Sequence, residues 1–408
     1  MKNKFKIIGV VVVSALTFLS INACAQKINN GESFEIDEAV LGPYSPAFTA
    51  AQAFDDTSAA ALAAKINIGW NLGNTLDAVP WDGFYQYNPE PDVEDLETLW
   101  VKHFASKANV DALKNAGFNA IRIPVSWTKA ADSNYIIRRD WMERVTEIVN
   151  YAAANDMYII LNTHHDEEVF RFTNRDASKS LRAFEIVWTQ IASQFKNYNE
   201  KLIFEGLNEP RTKGSSNEWT GGSAEERNNI NKHHQVFVDT VRKTGGNNEK
   251  RLLMITPYAA SAETAALNGL VLPSDKAENK LIVSVHSYSP YNFALNVKSP
   301  VNTWSEDKLS DTSPITAMLD RVYDKFVKNG IPVIMGEFGA MNKNNDQQRA
   351  QWAEFYTGYA REKGIPCFWW DNGAFEGDGE LFGLFDRESN TIVYSLVLDG
   401  LMRGAGVR

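Results

Sequence analysis

Two glutamates stand where an acetal could be cleaved. Glu209 lies in Gly206-Leu207-Asn208-Glu209-Pro210 and Glu337 in Gly336-Glu337-Phe338-Gly339, each directly after a short apolar run. Two carboxyl groups about 5 Å apart can break a glycosidic bond with retention of configuration, and a wider pair can do so with inversion. A lone Glu in such a place is ordinarily a solvated cap, so these two draw weight from their company. Arg122 in Ile121-Arg122-Ile123-Pro124, His164 and His165 in Asn162-Thr163-His164-His165-Asp166, His286-Ser287-Tyr288, and Trp370 in Trp369-Trp370-Asp371-Asn372-Gly373 also follow apolar runs. One polar group at such an end is weak evidence. Six ends together form a constellation.

The runs themselves are 66–70, 120–125, 158–162, 201–206, 252–256, 281–285, 332–336 and 366–370. They are short, apolar on both faces and rich in Ile and Val, the pattern of buried parallel strands. Amphipathic helices are expected between them, most clearly over 109–116, 140–155, 180–198, 228–244, 314–328 and 347–363. Ser313-Pro314 reads as a helix start, and Asp55-Asp56-Thr57 as the cap of a helix beginning near Ala59. Gly117, Gly330 and Gly364 sit where glycine ends a helix just before the next strand. Strands alternating with helices must wind right-handed, and eight such units close into a (β/α)8 TIM barrel, an α/β fold whose functional residues collect at the C-terminal strand ends. An open doubly wound sheet is the alternative, but no Gly-rich dinucleotide turn follows the first strand.

The 408 residues fit one catalytic domain of this kind. The net charge of −10, with no long basic run, excludes a typical nucleic-acid binder. Lys2, Lys4 and Lys6 precede an apolar run over 7–19, which reads as an export signal rather than a membrane span. Ile21-Asn22-Ala23-Cys24 resembles a lipobox, with Cys24 as the lipidated residue; plain cleavage after Ala25 is the competing reading. The expected division is a signal peptide over 1–24, a tether over 25–54 and the catalytic domain over 55–408. The expected location is the cell surface or outer membrane as a lipoprotein, or else the periplasm or medium. Cys24 and Cys367 are the two cysteines, so no intrachain disulfide is expected, and Cys367 reads as a small buried hydrophobe. His164-His165-Asp166-Glu167 and His233-His234 lack helical zinc-site spacing, so neither metal nor other cofactor is expected.

Taken in order, Gly69-Trp70-Asn71-Leu72-Gly73-Asn74, Arg122, His164, Leu207-Asn208-Glu209-Pro210, His286-Ser287-Tyr288, Gly336-Glu337-Phe338-Gly339 and Trp370-Asp371-Asn372-Gly373 resemble glycoside hydrolase family 5, nearest its bacterial endoglucanase and xyloglucanase branch. The resemblance runs from about residue 60 to the end. It implies a retaining, endo-acting β-1,4-glucanase, a monomer acting on cellulose-type chains, mixed-linkage glucan or xyloglucan. It implies Glu209 as acid/base and Glu337 as nucleophile, with Arg122, His164, Asn208, His286 and Tyr288 in support. Asn74, His165, Trp127 and Trp370 are expected to bind sugar, and Trp81, Tyr85, Trp219, Tyr258, Tyr291 and Trp304 are further aromatic candidates. An ionised Glu337 is expected to raise the pKa of Glu209. The same barrel could cut mannan or xylan, and a non-catalytic surface glycan-binding lipoprotein is the alternative of another class.

Overall fold

A computed structural model describes residues 47–408; Cys24 and the expected signal peptide lie outside that range. Eight parallel strands close into a barrel in sequence order. They are β1 (Ile68–Leu72), β2 (Ala120–Ile123), β3 (Tyr158–Asn162), β4 (Leu202–Glu205), β5 (Leu253–Ile255), β6 (Leu281–His286), β7 (Val333–Phe338) and β8 (Cys367–Asp371). Every apolar run became a strand. The barrel closes through β1 and β8, where Trp70 pairs with Trp369 and Asn71 with Trp370. A principal helix follows each strand, with short extra turns of helix after β1 and β6: α1 (Lys107–Ala116), α2 (Arg139–Ala154), α3 (Ala177–Phe195), α4 (Ala224–Lys243), α5 (Thr264–Gly269), α6 (Leu309–Lys325), α7 (Asp346–Glu362) and α8 (Ser395–Gly404). None of the described helices is long and apolar enough to cross a membrane.

The lower barrel is filled from inside by Ala120, Ile160, Ile203, Met254, Ile282, Ile334 and Phe368, one from each of β2 to β8. β1 contributes Gly69, and the reason is steric: a Cβ there would stand 2.1 Å from the Phe368 ring. A short helix, Ala59–Ala63, covers this end with Ala59 and Leu62. The upper barrel lacks that apolar filling. Arg122, Glu205 and Glu337 occupy it instead.

Three local expectations need correction. The helix at Ala59 is capped by Ser58, whose Oγ accepts from the Ala61 amide at 3.2 Å. Asp56 instead pairs with Lys250 and Lys280, at 2.6 and 2.7 Å. Helix α6 begins at Leu309, so Ser313 is not its cap and Pro314 lies inside it. Its first turn is held by Asp311, whose carbonyl accepts from the Trp304 indole and whose carboxylate accepts from the Ser305 amide, both at 3.1 Å. Finally, residues 47–54 are bound to the barrel rather than free of it. The Ala47 and Gln52 amides donate to the Gln194 and Asn197 carbonyls, and Phe48 packs on Tyr198 with ring centroids 4.6 Å apart.

Candidate active site

At the C-terminal mouth the network is organised around Arg122 of β2, which is fully buried. Its Nε donates to Glu205 at 2.7 Å, one terminal nitrogen to Glu337 Oε1 at 2.7 Å and to Asn71 at 3.0 Å, and the other to Asn208 at 2.8 Å. Burial pushes the guanidinium toward neutrality, but the charges of Glu205 and Glu337 more than offset that and raise its pKa. The planar fork reaches four acceptors at once, which a lysine could not do.

Glu205 was missed from the sequence because it falls inside the run 201–206, which reads as apolar. An acidic residue within Leu202-Ile203-Phe204-Glu205 was the available signal, since a charge in a strand buried on both faces must be paired. Asn162 also donates to Glu205, at 3.1 Å.

Glu337, at the end of β7, is held through both oxygens: Oε1 by Arg122 and Oε2 by the Tyr288 hydroxyl at 2.9 Å. Burial raises the Tyr288 pKa well above the usual phenol value, and the neighbouring Glu337 and Glu209 add to it, so this hydroxyl keeps its proton and donates. Glu209 follows β4. Its Oε1 lies 2.9 Å from His286 Nδ1, and the same nitrogen stands 3.6 Å from Glu337 Oε2. One oxygen of each glutamate and a His286 ring nitrogen all lie within 4.8 Å of one another. The two opposed strand ends do bring the carboxylates together.

The expected direction of the Glu209 shift does not hold. Burial pushes its carboxyl up, but the hydrogen bond and charge of His286, with the charge of Arg211, more than offset it, and Glu209 lies below the usual value.

His164 stacks parallel to Trp370, with ring centroids 5.8 Å apart. The Asn162 carbonyl oxygen accepts from the Val125 amide, so its NH2 group faces His164 Nδ1 at 3.1 Å. Nδ1 is therefore an acceptor, and Nε2 carries the proton. Burial, with the charges of His165 and Arg122 adding to it, lowers the His164 pKa well below the ordinary value and keeps the ring neutral. Trp370 is 8% exposed, its far side packed with Met341 and Phe382. His165 is partly exposed, with its ring 5.6 Å from Trp100 and its Nδ1 3.4 Å from Glu167. Asn74 takes a left-handed conformation, and its amide donates to Asp77 at 3.0 Å.

Trp127 departs from its expected role. It is fully buried, and its indole donates to the Asn162 carbonyl at 2.8 Å; it supports the end of β3 and offers no face to a ligand. Tyr258 and Trp304 are buried as well, whereas Trp81, Tyr85, Trp219 and Tyr291 are exposed. Asp77, His164 and His165 form one group of potential metal-binding atoms and Glu209, His286 and Glu337 another. Each residue in both groups already has a protein hydrogen-bond partner. Arg211 was also missed, although it follows Pro210 directly.

A barrel with two facing carboxylates, one gripped by an arginine and a phenol and the other by a histidine, defines a glycoside hydrolase of the retaining geometry. Comparison with known proteins gives the family. The model described as Cellulase (glycosyl hydrolase family 5) matches residues 85–376. Endoglucanase A of Clostridium longisporum is 43% identical over 357 residues, 86% of this chain and 67% of that protein. Endoglucanase 1 of Ruminococcus albus is 46% identical over 332 residues, 81% of this chain and 77% of that protein. Among solved structures, a GH5-4 broad specificity endoglucanase from Ruminococcus champanellensis with bound cellotriose superposes with a TM-score of 0.82 at 45% identity, covering 86% of this chain and 100% of that one. A GH5 lichenase from Caldicellulosiruptor sp. F32 superposes with a TM-score of 0.81 at 42% identity, covering 89% and 100%. The chain belongs to glycosyl hydrolase family 5.

Proposed function

We propose that this enzyme cleaves β-1,4-glucan internally by double displacement, with Glu337 as nucleophile and Glu209 as acid/base. The observation that carries the reading is that one oxygen of Glu209 and one of Glu337 lie within 4.8 Å of each other beside His286, which fits the close pair of a retaining enzyme, about 5 Å apart, better than the wider pair of an inverting one. Glu337 Oε2, which lies 3.6 Å from His286 Nδ1, attacks the anomeric carbon while Arg122 holds Oε1. Glu209 gives its proton to the departing oxygen. Glu209 Oε1 lies 2.9 Å from His286 Nδ1. When glucan expels water from the cleft, the low dielectric favours the neutral carboxylic acid. Once the glycosyl-enzyme forms, Glu337 carries no charge and Glu209 acts as base toward water.

Asn208 Oδ1 accepts from Arg122, so its NH2 group is left for the sugar 2-hydroxyl. His164 offers its Nε2 proton, and the accessible edge of Trp370 packs against the same sugar ring.

Cellulose-type and mixed-linkage glucans are the favoured substrates, since relatives similar to this chain are named endoglucanases and a lichenase. Xyloglucan is included on the likeness to broad-specificity enzymes. The basic start, apolar run and Cys24 support export of the enzyme, with a lipid tether at the cell surface as the favoured end point and the periplasm or medium as the alternative.

The test is Glu337→Gln on a panel of carboxymethylcellulose, mixed-linkage glucan, xyloglucan, mannan and xylan. Turnover should fall by at least about a thousandfold while glucan binding stays measurable. Unmutated protein that binds glucan and cleaves nothing would replace this reading with glycan capture. An α anomer as first product would end the retaining assignment.

A further inference from the structure

Glu209 is held from two sides, by an imidazole and by a guanidinium. Oε1 faces His286, and Oε2 lies 3.3 Å from an Arg211 terminal nitrogen that also donates to the Glu209 carbonyl at 3.0 Å. Arg211 is fixed in turn. Its Nε donates to Glu218 at 3.1 Å, Glu167 lies 3.9 Å away, and the exposed Trp219 ring covers the guanidinium at 4.7 Å. The side chain is 10% exposed, so its charge is poorly screened by water.

We propose that Arg211 is a positioning residue that stabilises the base form of Glu209 and thereby drives the second half of the reaction, the attack of water on the glycosyl-enzyme. This rests on Glu209 being the acid/base. The charged surroundings support it. His286 and the phenol Tyr288 face Glu209 from β6, and Glu337 faces it from β7. Glu380 approaches from the loop after β8, and its own pKa is raised by burial and then by Glu209 and Glu337. His165 and Glu167 lie on the loop after β3, and Arg211, Lys213 and Glu218 on the loop after β4. Lys213 is paired with Glu167 at 3.1 Å. Without Arg211, Glu209 would stand among Glu337, Glu380, Glu167 and Glu218 with the His286 hydrogen bond at 2.9 Å but no guanidinium beside its carboxylate. Arg211 also contributes to the lowered pKa of Glu209, after burial, which opposes it, and after His286.

Removing the cation raises the proton affinity of Glu209. The acid form then persists to higher pH and the base form becomes scarcer, so the two chemical steps respond in opposite directions. In Arg211→Gln, the alkaline limb of kcat/KM on glucan should move up by about one pH unit. On an activated aryl cellobioside, where breakdown of the glycosyl-enzyme limits turnover, kcat measured on the acid side of the Glu209 titration should fall about tenfold while kcat/KM changes little. Arg211→Lys keeps a cation and should return most of both effects; if the Gln variant does not fold, a limb displaced upward by a smaller amount in Arg211→Lys tests the same claim. An unmoved alkaline limb, with kcat and kcat/KM falling in parallel, would make Arg211 merely structural and overturn the proposal. Glu209→Ala separates the two failures. It should remove the alkaline limb altogether, and a limb that survives there would indict the assignment of Glu209 itself rather than the role of Arg211.

Discussion

Arg122 is the point at which the fold and the site are one structure, and Arg122→Met tests that identity. The guanidinium bridges two carboxylates at 2.7 Å, Glu205 with a wholly buried side chain and Glu337 with one only 6% exposed. A hydrogen bond to a charged group contributes about 1.5–3 kcal/mol. Truncation also leaves two carboxylates in the barrel without a counter-charge, and breaking a buried pair in this way costs about 3–5 kcal/mol. The two figures count the same contacts, so the expected loss is about 4 kcal/mol, against a total stability on the order of 5–15 kcal/mol. Urea denaturation followed by tryptophan fluorescence and far-UV circular dichroism would measure it. The sign of a second substitution is more telling than the size of the first. If the penalty is an orphaned charge, Glu205→Gln in the Met background should restore about 1–2 kcal/mol, although Glu205→Gln alone destabilises. A loss below about 1 kcal/mol for Arg122→Met, or strictly additive effects of the two substitutions, would refute the reasoning.

Two further outcomes are expected. Glu209→Ala should lose at least about a hundredfold on glucan yet retain most of its first-step rate on aryl cellobiosides, whose leaving groups need no proton; equal losses on both would exclude Glu209 as the acid. Glu167 bears on acid stability: burial pushes its carboxyl up, but His165 and Lys213 more than offset it and hold its pKa at about 2 against an ordinary 4.5. A depressed carboxylate stabilises the fold above its unfolded pKa and loses that contribution as pH falls toward the folded value. The difference in urea stability between the parent and Glu167→Gln, at most roughly 3 kcal/mol near neutrality, should therefore shrink between pH 4.5 and 2, and a difference that stays constant with pH would contradict the assignment.

The barrel was legible because each strand is short, apolar on both faces and punctuated by glycine or polar residues. Such runs have few alternatives once eight of them alternate with helices. The two glutamates were legible for the same reason, as polar residues directly following such runs. What escaped lay inside those runs or beyond them. Glu205 was hidden by apolar neighbours. Trp127 and Trp304 occupy loops by sequence, but loops that fold back over a strand end bury their aromatics, and local pattern carries no information about that. The direction of the Glu209 shift was misread because only the nearest like charge was considered. The deciding partners, His286 from β6 and Arg211 from the loop after β4, come together only in three dimensions. The start of α6 was misplaced because Pro314 resembles a first-turn proline, while the actual first turn is held by Trp304 and Asp311, contacts with no local signature.

Two chemically identical side chains can take opposite roles only if their surroundings differ, and here they differ in kind. Glu337 is bound by an arginine that cannot give up its proton and a tyrosine whose pKa is pushed further up by burial and by Glu337 and Glu209. Both donate to Glu337, the arrangement that the nucleophile proposed at this position would need. Glu209 is bound by the His286 imidazole at 2.9 Å and by Arg211 at the longer distance of 3.3 Å. One carboxylate is thus paired with a guanidinium and a phenol in the barrel interior, and the other with an imidazole and a more distant guanidinium. The division of labour follows from which strand each glutamate ends. β7 brings Glu337 over Arg122 at the barrel axis, and β4 brings Glu209 to the rim, where the loops supply its partners. Exchanging the glutamates' surroundings would exchange their roles. A neutral residue in place of Arg122 should therefore damage the nucleophile, whereas the same change at Arg211 should alter only the timing of proton transfer.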